Sequence, residues 1–216
     1  MKSLLIKPFE KIIKDILIGI LLPLIEKLPV AGKKRNGGKK SLIEQKASRI
    51  KLLVLDVDGV LTDGKIGINE LGEEIKFYHV RDGLGLKLLI KAGLGVAIVT
   101  GRITKADRCR AEELGITDLY QGIDDKKSVC SMLLEQKGLG KNEVCCIGDD
   151  LPDIPMFECS GLPVAVRDAA EEVREAACYV TKNRGGKGAV REVCEVILKA
   201  KGLWPGIVSD FKGSVK

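Results

Sequence analysis

From Lys51 onward, short apolar runs alternate with segments in which apolar residues recur at helical spacing. The apolar runs predict strands at 51–56, 95–99, 118–120, 143–147, 162–166 and 177–180. The helical spacing predicts helices near 83–92, 104–114, 126–137, 151–158, 169–176 and 188–200. Strands that alternate with helices favour a parallel sheet covered on both faces. We therefore expect an α/β fold, a doubly wound parallel sheet with helices on both faces.

Residues 65–78 interrupt this alternation with the pattern of a β-hairpin, whose turn lies around Asn69 to Gly72. The hairpin follows the first predicted strand, where it could form a flap over that edge of the sheet. Between this strand and Thr100 there is room only for the hairpin and one helix. We therefore expect a capless domain, without a separate cap over its site.

Residues 1–49 differ from the rest of the chain. The apolar run Ile16–Ile25 is interrupted by Gly19 and Pro23 and is too short to span a bilayer. Amphipathic spacing precedes this run, and residues 32–40 read as a solvated basic linker. One interpretation is a helix that lies on a membrane surface through residues 1–40. The others are an extra helix packed on the domain or its oligomer, or a disordered leader.

Charge separates the same two parts of the chain. Residues 1–50 hold 12 Lys and Arg against 4 Asp and Glu, whereas the remainder holds 24 against 26. The basic excess therefore belongs to the N-terminal segment and not to the main domain. Aromatic residues make up only 4% of the chain, which argues against a nucleic-acid binder that stacks bases. We divide the chain into an extension at 1–49, a main domain at 50–202 and a tail at 203–216.

The seven cysteines form no CxxC pair, and their number is odd. Cys145 and Cys146 lie inside an apolar strand, so we interpret the cysteines as reduced thiols. Reduced thiols are typical of a cytoplasmic protein.

Polar and charged residues follow several of the predicted strands where those strands end. Asp56 and Asp58 follow the first strand, Thr100-Gly101-Arg102 follows the second, and Asp149 follows the fourth, while Lys126 begins a helix. In parallel sheets, ligands bind beyond the carboxyl ends of the strands. Any one of these residues could be a helix cap or a turn residue. All of them together, in this order, indicate a catalytic site.

Four of these segments resemble the motifs of haloacid dehalogenase-type phosphatases: Asp56-Val57-Asp58-Gly59, Thr100-Gly101-Arg102, Lys126, and Gly148-Asp149-Asp150-Leu151-Pro152-Asp153. Further segments resemble the family of 3-deoxy-D-manno-octulosonate 8-phosphate phosphatases. They are residues 56–64, 80–85, 114–122 and 185–194. The resemblance covers residues 50 to about 202, and nothing in it extends to residues 1–49.

The residue types suit a mechanism that agrees with this family. Asp56 would attack phosphorus, and Asp58 would act as general acid and then as general base. Mg²⁺ would bind the carboxylates of Asp56 and Asp149 and the backbone carbonyl of Asp58. Thr100, the Gly101 N–H and Lys126 would hold the phosphoryl group, and Asp153 could orient Lys126 or a metal-bound water.

The resemblance also implies where the substrate and neighbouring subunits lie. It places Arg81 and Arg102 near the acid end of a sugar-acid phosphate, where guanidinium groups can bind a carboxylate in bidentate fashion. It implies a homotetramer, in which neighbouring hairpins and C-terminal segments cover the open site. The tail with Trp204, the only Trp of the chain, could dock on a neighbour or fray.

Two other functions remain open at this point. The same chemistry could act on a nine-carbon neuraminate-type 9-phosphate, because the residues that carry it would be nearly identical. Alternatively, the domain could be catalytically idle and kept for assembly. The presence of Asp56, Asp58, Lys126 and Asp149 together argues against the idle domain.

Overall fold

The protein is represented by a computed structural model that describes residues 41–213. The predictions for residues 1–40, including the membrane-surface helix and the basic linker, lie outside the described residues. The helices and strands follow in chain order: α1 (Leu42–Arg49), β1 (Leu52–Leu55), β2 (Gly67–Ile68), β3 (Glu74–Ile75), α2 (Val80–Lys91), β4 (Gly95–Val99), α3 (Lys105–Leu114), β5 (Asp118–Tyr120), α4 (Lys126–Lys137), β6 (Val144–Gly148), α5 (Ile154–Phe157), β7 (Leu162–Ala165), α6 (Glu171–Ala176), β8 (Tyr179–Val180), α7 (Ala189–Ala200) and α8 (Trp204–Gly213). Short 3₁₀ turns at Lys141–Glu143 and Leu151–Asp153 flank β6.

Six parallel strands form the central sheet in the order β5-β4-β1-β6-β7-β8. All four residues of β1 are fully buried, because this strand lies in the middle of the sheet. The chain leaves β1 toward β4 on one side and reaches β6 on the other. This reversal of strand order places a crevice beyond the carboxyl ends of β1, β4 and β6. The predicted doubly wound parallel sheet is confirmed.

Local capping explains where several helices begin and end. Thr104 accepts a hydrogen bond from the Asp107 N–H at the start of α3, and Gly115 ends that helix in the left-handed conformation. Asp125 caps the start of α4 in the same way, and Gly138 ends it. These caps satisfy backbone groups that helix ends leave unpaired. They fix Lys126 at the first turn of α4.

The hairpin is formed by β2 and β3, which pair antiparallel with Gly67 opposite Ile75. The side chain of Asn69 organises its turn by accepting hydrogen bonds from the N–H groups of Leu71 and Glu73. The hairpin connects β1 to α2, and the described residues contain no additional cap domain.

Both ends of the described chain pack against α7. In α1, which lies within the segment 1–49, Ala47 is fully buried and Ser48 accepts a hydrogen bond from the Lys201 side chain. At the other end, the Trp204 ring lies 5.2 Å from the Arg191 guanidinium and 5.1 Å from the Lys199 ammonium. Cation–π contacts therefore hold Trp204 of α8 against α7, so this part of the tail is not frayed, and its docking on a neighbouring subunit stays a prediction. Among residues 41–213, no helix has the length and apolar character that crossing a membrane requires.

Candidate active site

One cavity at the carboxyl ends of the strands contains almost all of the predicted site residues. Its volume is about 470 Å³. Its lining includes Asp56, Asp58, Thr100, Gly101, Arg102, Lys126 and Asp149. Residues from three strand ends and from the start of α4 thus meet in space, as the sheet topology requires.

Lys126 lies between two carboxylates. Its Nζ is 2.9 Å from Asp56 Oδ1 and 2.6 Å from Asp153 Oδ1, and its side chain is buried. The other oxygen of Asp153 accepts hydrogen bonds from the N–H groups of Asp149 and Asp150. Asp153 therefore anchors Lys126 to the loop after β6, and Lys126 in turn fixes the orientation of the Asp56 carboxylate.

The acids of this cluster repel each other. Burial, followed by the charge of Asp153, raises the pKa of Asp56 to about 6, although Lys126 opposes this shift. Burial and the charges of Asp153 and Asp56 raise the pKa of Asp149 to about 8. A divalent cation would relieve this repulsion, because it supplies two positive charges among the carboxylates.

The residues fit a hard cation such as Mg²⁺. Asp149 Oδ1 is buried and has no hydrogen-bond partner among the described residues. Three carboxylate oxygens lie within 4.8 Å of one another, one each from Asp56, Asp149 and Asp153. Since both oxygens of Asp153 already accept hydrogen bonds, Asp56 and Asp149 are the carboxylates that could hold the cation, with Asp153 as their support.

Gly59 allows the aspartate loop to approach Asp149 closely. Its φ is +87°, and a Cβ added there would lie 2.0 Å from Asp149 Oδ2. A second loop packs beneath: a Cβ at Gly185 would lie 1.6 Å from the carbonyl oxygen of Gly59, and Gly186 N–H donates to the Val60 carbonyl. Both loops therefore require glycine where their backbones meet.

Asp58 lines the cavity and contacts the hairpin. Its Oδ2 accepts a hydrogen bond of 2.9 Å from Lys76, which sequence reasoning missed. Thr100 is buried at the end of β4, and its hydroxyl accepts a hydrogen bond from the Arg102 N–H. The Arg102 guanidinium is paired with Glu74 of β3, also missed. No sequence motif distinguished Lys76 or Glu74 from ordinary charged residues of a solvated hairpin.

Arg81 is the predicted site residue that does not line this cavity. It is exposed at the start of α2 and lines a separate cavity of about 650 Å³ together with Lys182 and Arg191. Its neighbour Asp82 is buried and accepts hydrogen bonds from the N–H groups of Gly188 and Arg191 at the start of α7. Within one chain, residues 80–85, at the start of α2, therefore pack against α7. They contribute no residue to the lining of the cavity that contains Asp56.

Comparison with known proteins finds relatives that are phosphatases or hydrolases of one kind. A family profile described as haloacid dehalogenase-like hydrolase matches residues 105–193. The 3-deoxy-D-manno-octulosonate 8-phosphate phosphatases of Escherichia coli K12 and Yersinia pestis are each 48% identical over 157 residues, which are 73% of this chain and 84% of theirs.

Solved structures agree with this match. The crystal structure of the Yersinia pestis phosphatase has a TM-score of 0.75 and 47% identity, covering 76% of this chain and 89% of that one. The Moraxella catarrhalis phosphatase has a TM-score of 0.77 and 43% identity, covering 78% of this chain and 97% of that one. That structure is a complex with magnesium, phosphate and a KDO molecule.

Proposed function

Because this chain belongs to the family of 3-deoxy-D-manno-octulosonate 8-phosphate phosphatases, we propose that it hydrolyses this sugar-acid phosphate to the free sugar acid and phosphate. It acts as an Mg²⁺-dependent phosphoric monoester hydrolase, and the product suits the synthesis of lipopolysaccharide precursors. One observation carries the proposal: Asp56, Lys126, Asp149 and Asp153 form one buried network at the carboxyl ends of the strands.

Asp56 is the nucleophile in this proposal. One of its carboxylate oxygens attacks phosphorus, the bond to the sugar oxygen breaks, and an aspartyl phosphate forms. Lys126, 2.9 Å from Asp56 Oδ1, fixes the orientation of the nucleophile and offsets negative charge on the phosphoryl group. The Thr100 hydroxyl and the Gly101 N–H line the same cavity and suit phosphoryl oxygens.

Asp58 is the acid–base group. It gives its proton to the sugar oxygen as that oxygen leaves, and then takes a proton from the water that attacks the aspartyl phosphate. Asp58 lines the same cavity as the nucleophile, and its Oδ1 has no hydrogen-bond partner among residues 41–213. That oxygen is free to carry the transferred proton.

Mg²⁺ would be held by the carboxylates of Asp56 and Asp149 and by the backbone carbonyl of Asp58. When bound, it offsets the charge of the phosphoryl group and of the acidic cluster. The buried Asp149 Oδ1 without a partner in the described chain supports this assignment. The magnesium in the Moraxella catarrhalis structure also supports it.

We also propose a homotetramer. The hairpin and the start of α2 expose large apolar side chains, with Leu71, Phe77 and Val80 each at least 80% exposed. Such a patch is typical of a surface that another chain covers. Association would also bring the exposed Arg81 of one subunit to another subunit's cavity. There it could bind the substrate carboxylate beside Arg102.

The cellular location and the role of residues 1–40 are further parts of the proposal. All seven cysteines lie in the described region and are unpaired, which supports a reducing, cytoplasmic environment. Residues 1–40 would contribute peripheral contact with anionic membranes through their basic residues.

A phosphate-release assay tests the proposed function. The full chain with Mg²⁺ should hydrolyse the eight-carbon acid phosphate with a far higher kcat/KM than neutral hexose phosphates or the nine-carbon 9-phosphate. Asp56→Asn should abolish turnover and the acid-stable trapping of labelled phosphate, while its circular dichroism spectrum stays unchanged. Near-normal turnover of this variant would exclude the aspartyl-phosphate mechanism, and comparable rates on all sugars would exclude the proposed substrate.

A further inference from the structure

Lys76 connects the hairpin to the acid–base group. Its side chain is 1% exposed although the residue lies on the flap, one position after β3. Its Nζ is 2.9 Å from Asp58 Oδ2 and 3.0 Å from Asp107 Oδ2. The Glu74 carboxylate lies farther away, at 4.0 Å. A lysine loses hydration on burial, so this position requires the carboxylates around it, of which Asp58 and Asp107 are the nearest.

Asp107 anchors this arrangement to the main domain. It lies in the first turn of α3, with a fully buried side chain, and its N–H is capped by Thr104. Its second oxygen accepts a hydrogen bond of 2.7 Å from the Tyr78 hydroxyl. Burial and this bond raise the pKa of Tyr78 well above its usual value, so the hydroxyl stays protonated. Asp107 therefore directs the Lys76 ammonium toward Asp58.

Lys76 is the hydrogen-bond donor that orients the Asp58 side chain. The other oxygen of Asp58 is buried and has no partner within residues 41–213, so the Lys76 contact determines which oxygen is available for proton transfer. We infer that Lys76 is a positioning residue that holds the Asp58 carboxylate at the leaving oxygen. Since Lys76 belongs to the hairpin, correct placement of the acid–base group depends on the hairpin being seated.

This inference rests on the proposed function, because it takes Asp58 as the general acid–base. Its competitor is a purely structural role, in which Lys76 only fastens the hairpin to α3. The two roles predict different losses of rate when Lys76 is replaced, depending on the leaving group of the substrate. A sugar alkoxide needs a proton to leave, whereas nitrophenolate does not, so a misplaced acid slows the sugar ester more.

The test compares Lys76→Met with Lys65→Met in the full chain with Mg²⁺. Lys65 lies on the same hairpin segment and pairs at the surface with Asp63, so it is a matched control. On the sugar 8-phosphate, Lys76→Met should lose about 10²-fold or more in kcat with KM within about threefold. Its initial burst of nitrophenol from 4-nitrophenyl phosphate should slow by less than about tenfold. Lys65→Met should match the unmodified chain.

A double variant provides a second measurement. Because Lys76 acts through Asp58, adding Lys76→Met to Asp58→Asn should change kcat by less than about twofold. Three results would each overturn the inference. Lys76→Met could lose the same factor in rate on both esters, or the losses in kcat of the two single variants could multiply in the double variant. Lys76→Met could also have the same kinetics as Lys65→Met. If circular dichroism shows that Lys76→Met is unfolded, Asp107→Asn replaces it, because that variant removes the anchor of Lys76. Asp107→Asn must then lose less activity on the aryl ester than on the sugar ester. An equal loss on both esters overturns the inference.

The same experiment separates this inference from the proposed function. Activity of the unmodified chain together with a large loss in Asp58→Asn supports the function, whatever Lys76→Met does. An unmodified chain that releases no phosphate from the sugar ester, or Asp58→Asn with full turnover, contradicts the function and the inference together.

Discussion

Gly59→Ala should disable the metal site without unfolding the domain. Gly59 has a φ of +87°, and the added Cβ would lie 2.0 Å from Asp149 Oδ2 and 2.4 Å from its Cγ. Ordinary contact begins near 3.4 Å, so the carboxylate or the loop must retreat by more than 1 Å. The Asp149 side chain then leaves the place where it faces the Asp56 carboxylate.

Gly59→Ala combines backbone strain with displacement of Asp149, and a control variant separates these two effects. A left-handed alanine costs about 1–2 kcal/mol of folding free energy at any site. Gly115→Ala carries that cost alone, because Gly115 has a φ of +74° at the end of α3 and its added Cβ meets nothing within 4 Å. The displacement of Asp149 is specific to Gly59→Ala. Disturbing the support of a metal ligand typically weakens metal binding by about 10–100-fold, or about 1.4–2.7 kcal/mol.

Calorimetric titration of the metal-free protein with Mg²⁺ is the primary assay, and thermal melting is the second. We expect both variants to melt at similarly lowered temperatures, because they share the backbone strain. Only Gly59→Ala should bind Mg²⁺ about 10–100-fold more weakly, and a ligand misplaced by about 1 Å should reduce kcat/KM by about 10²-fold. The reasoning is refuted if Gly59→Ala binds Mg²⁺ as tightly as Gly115→Ala does.

Three further predictions concern the acidic cluster and the chain ends. Asp153→Asn should lower kcat by about 10–100-fold in steady-state assays, because Lys126 loses its anchor, and an unchanged kcat would contradict this. Since the pKa of Asp149 is raised to about 8, the folded metal-free chain retains a proton that the unfolded chain releases. Its stability in EDTA should therefore fall between about pH 4 and pH 8, and the rise in melting temperature with Mg²⁺ should be larger at pH 8 than at pH 6; equal rises would argue against this. Deleting residues 1–40 should leave kcat unchanged, leave the oligomer unchanged in light scattering, and abolish co-sedimentation with anionic vesicles. A longer deletion that removes α1 should lower the melting temperature, since Ala47 is fully buried.

The central sheet could be predicted because its strands are buried on both faces and therefore read as uninterrupted apolar runs. The strands at 95–99 and 118–120 begin and end where the sequence indicates. Helix α2 was less visible and begins at Val80, three residues before its predicted start. Gly83 and Gly85 weaken its helical pattern, and Gly85 suits the close packing of α2 on α7, because an added Cβ would lie 3.2 Å from the Arg191 Cα. That preference arises from packing and leaves no local signal.

Helices α1 and α8 show a related limit. Ser41 and Glu44 form a capping box at the start of α1, which is a recognisable signal, but the sequence left open whether the extension packs on the domain, lies on a membrane or is disordered. The buried Ala47 and the hydrogen bond from Lys201 to Ser48 show that this helix packs on the domain. For α8, the cation–π contacts of Trp204 come from α7 and were not expected from a short C-terminal segment.

The active site divides in the same way. Residues that follow strands could be predicted, because the topology of a parallel sheet brings their positions together whatever the intervening chain does. Lys76 and Arg81 lie outside that rule. The position of Lys76 depends on how a hairpin folds back onto α3, and the role proposed for Arg81 would depend on a neighbouring subunit.

The hairpin contacts with Asp58 and Arg102 also suggest why a phosphatase without a cap can keep its chemistry specific. The residues proposed to bind the phosphoryl group follow strands of the sheet or begin α4, so their positions do not depend on the hairpin. Through the hairpin, Lys76 contacts Asp58, the proposed acid–base group, and Glu74 is paired with Arg102. The hairpin exposes apolar side chains that another chain would cover. On this reasoning, assembly seats the hairpin, and the seated hairpin completes both the acid–base group and the sugar-acid end of the site.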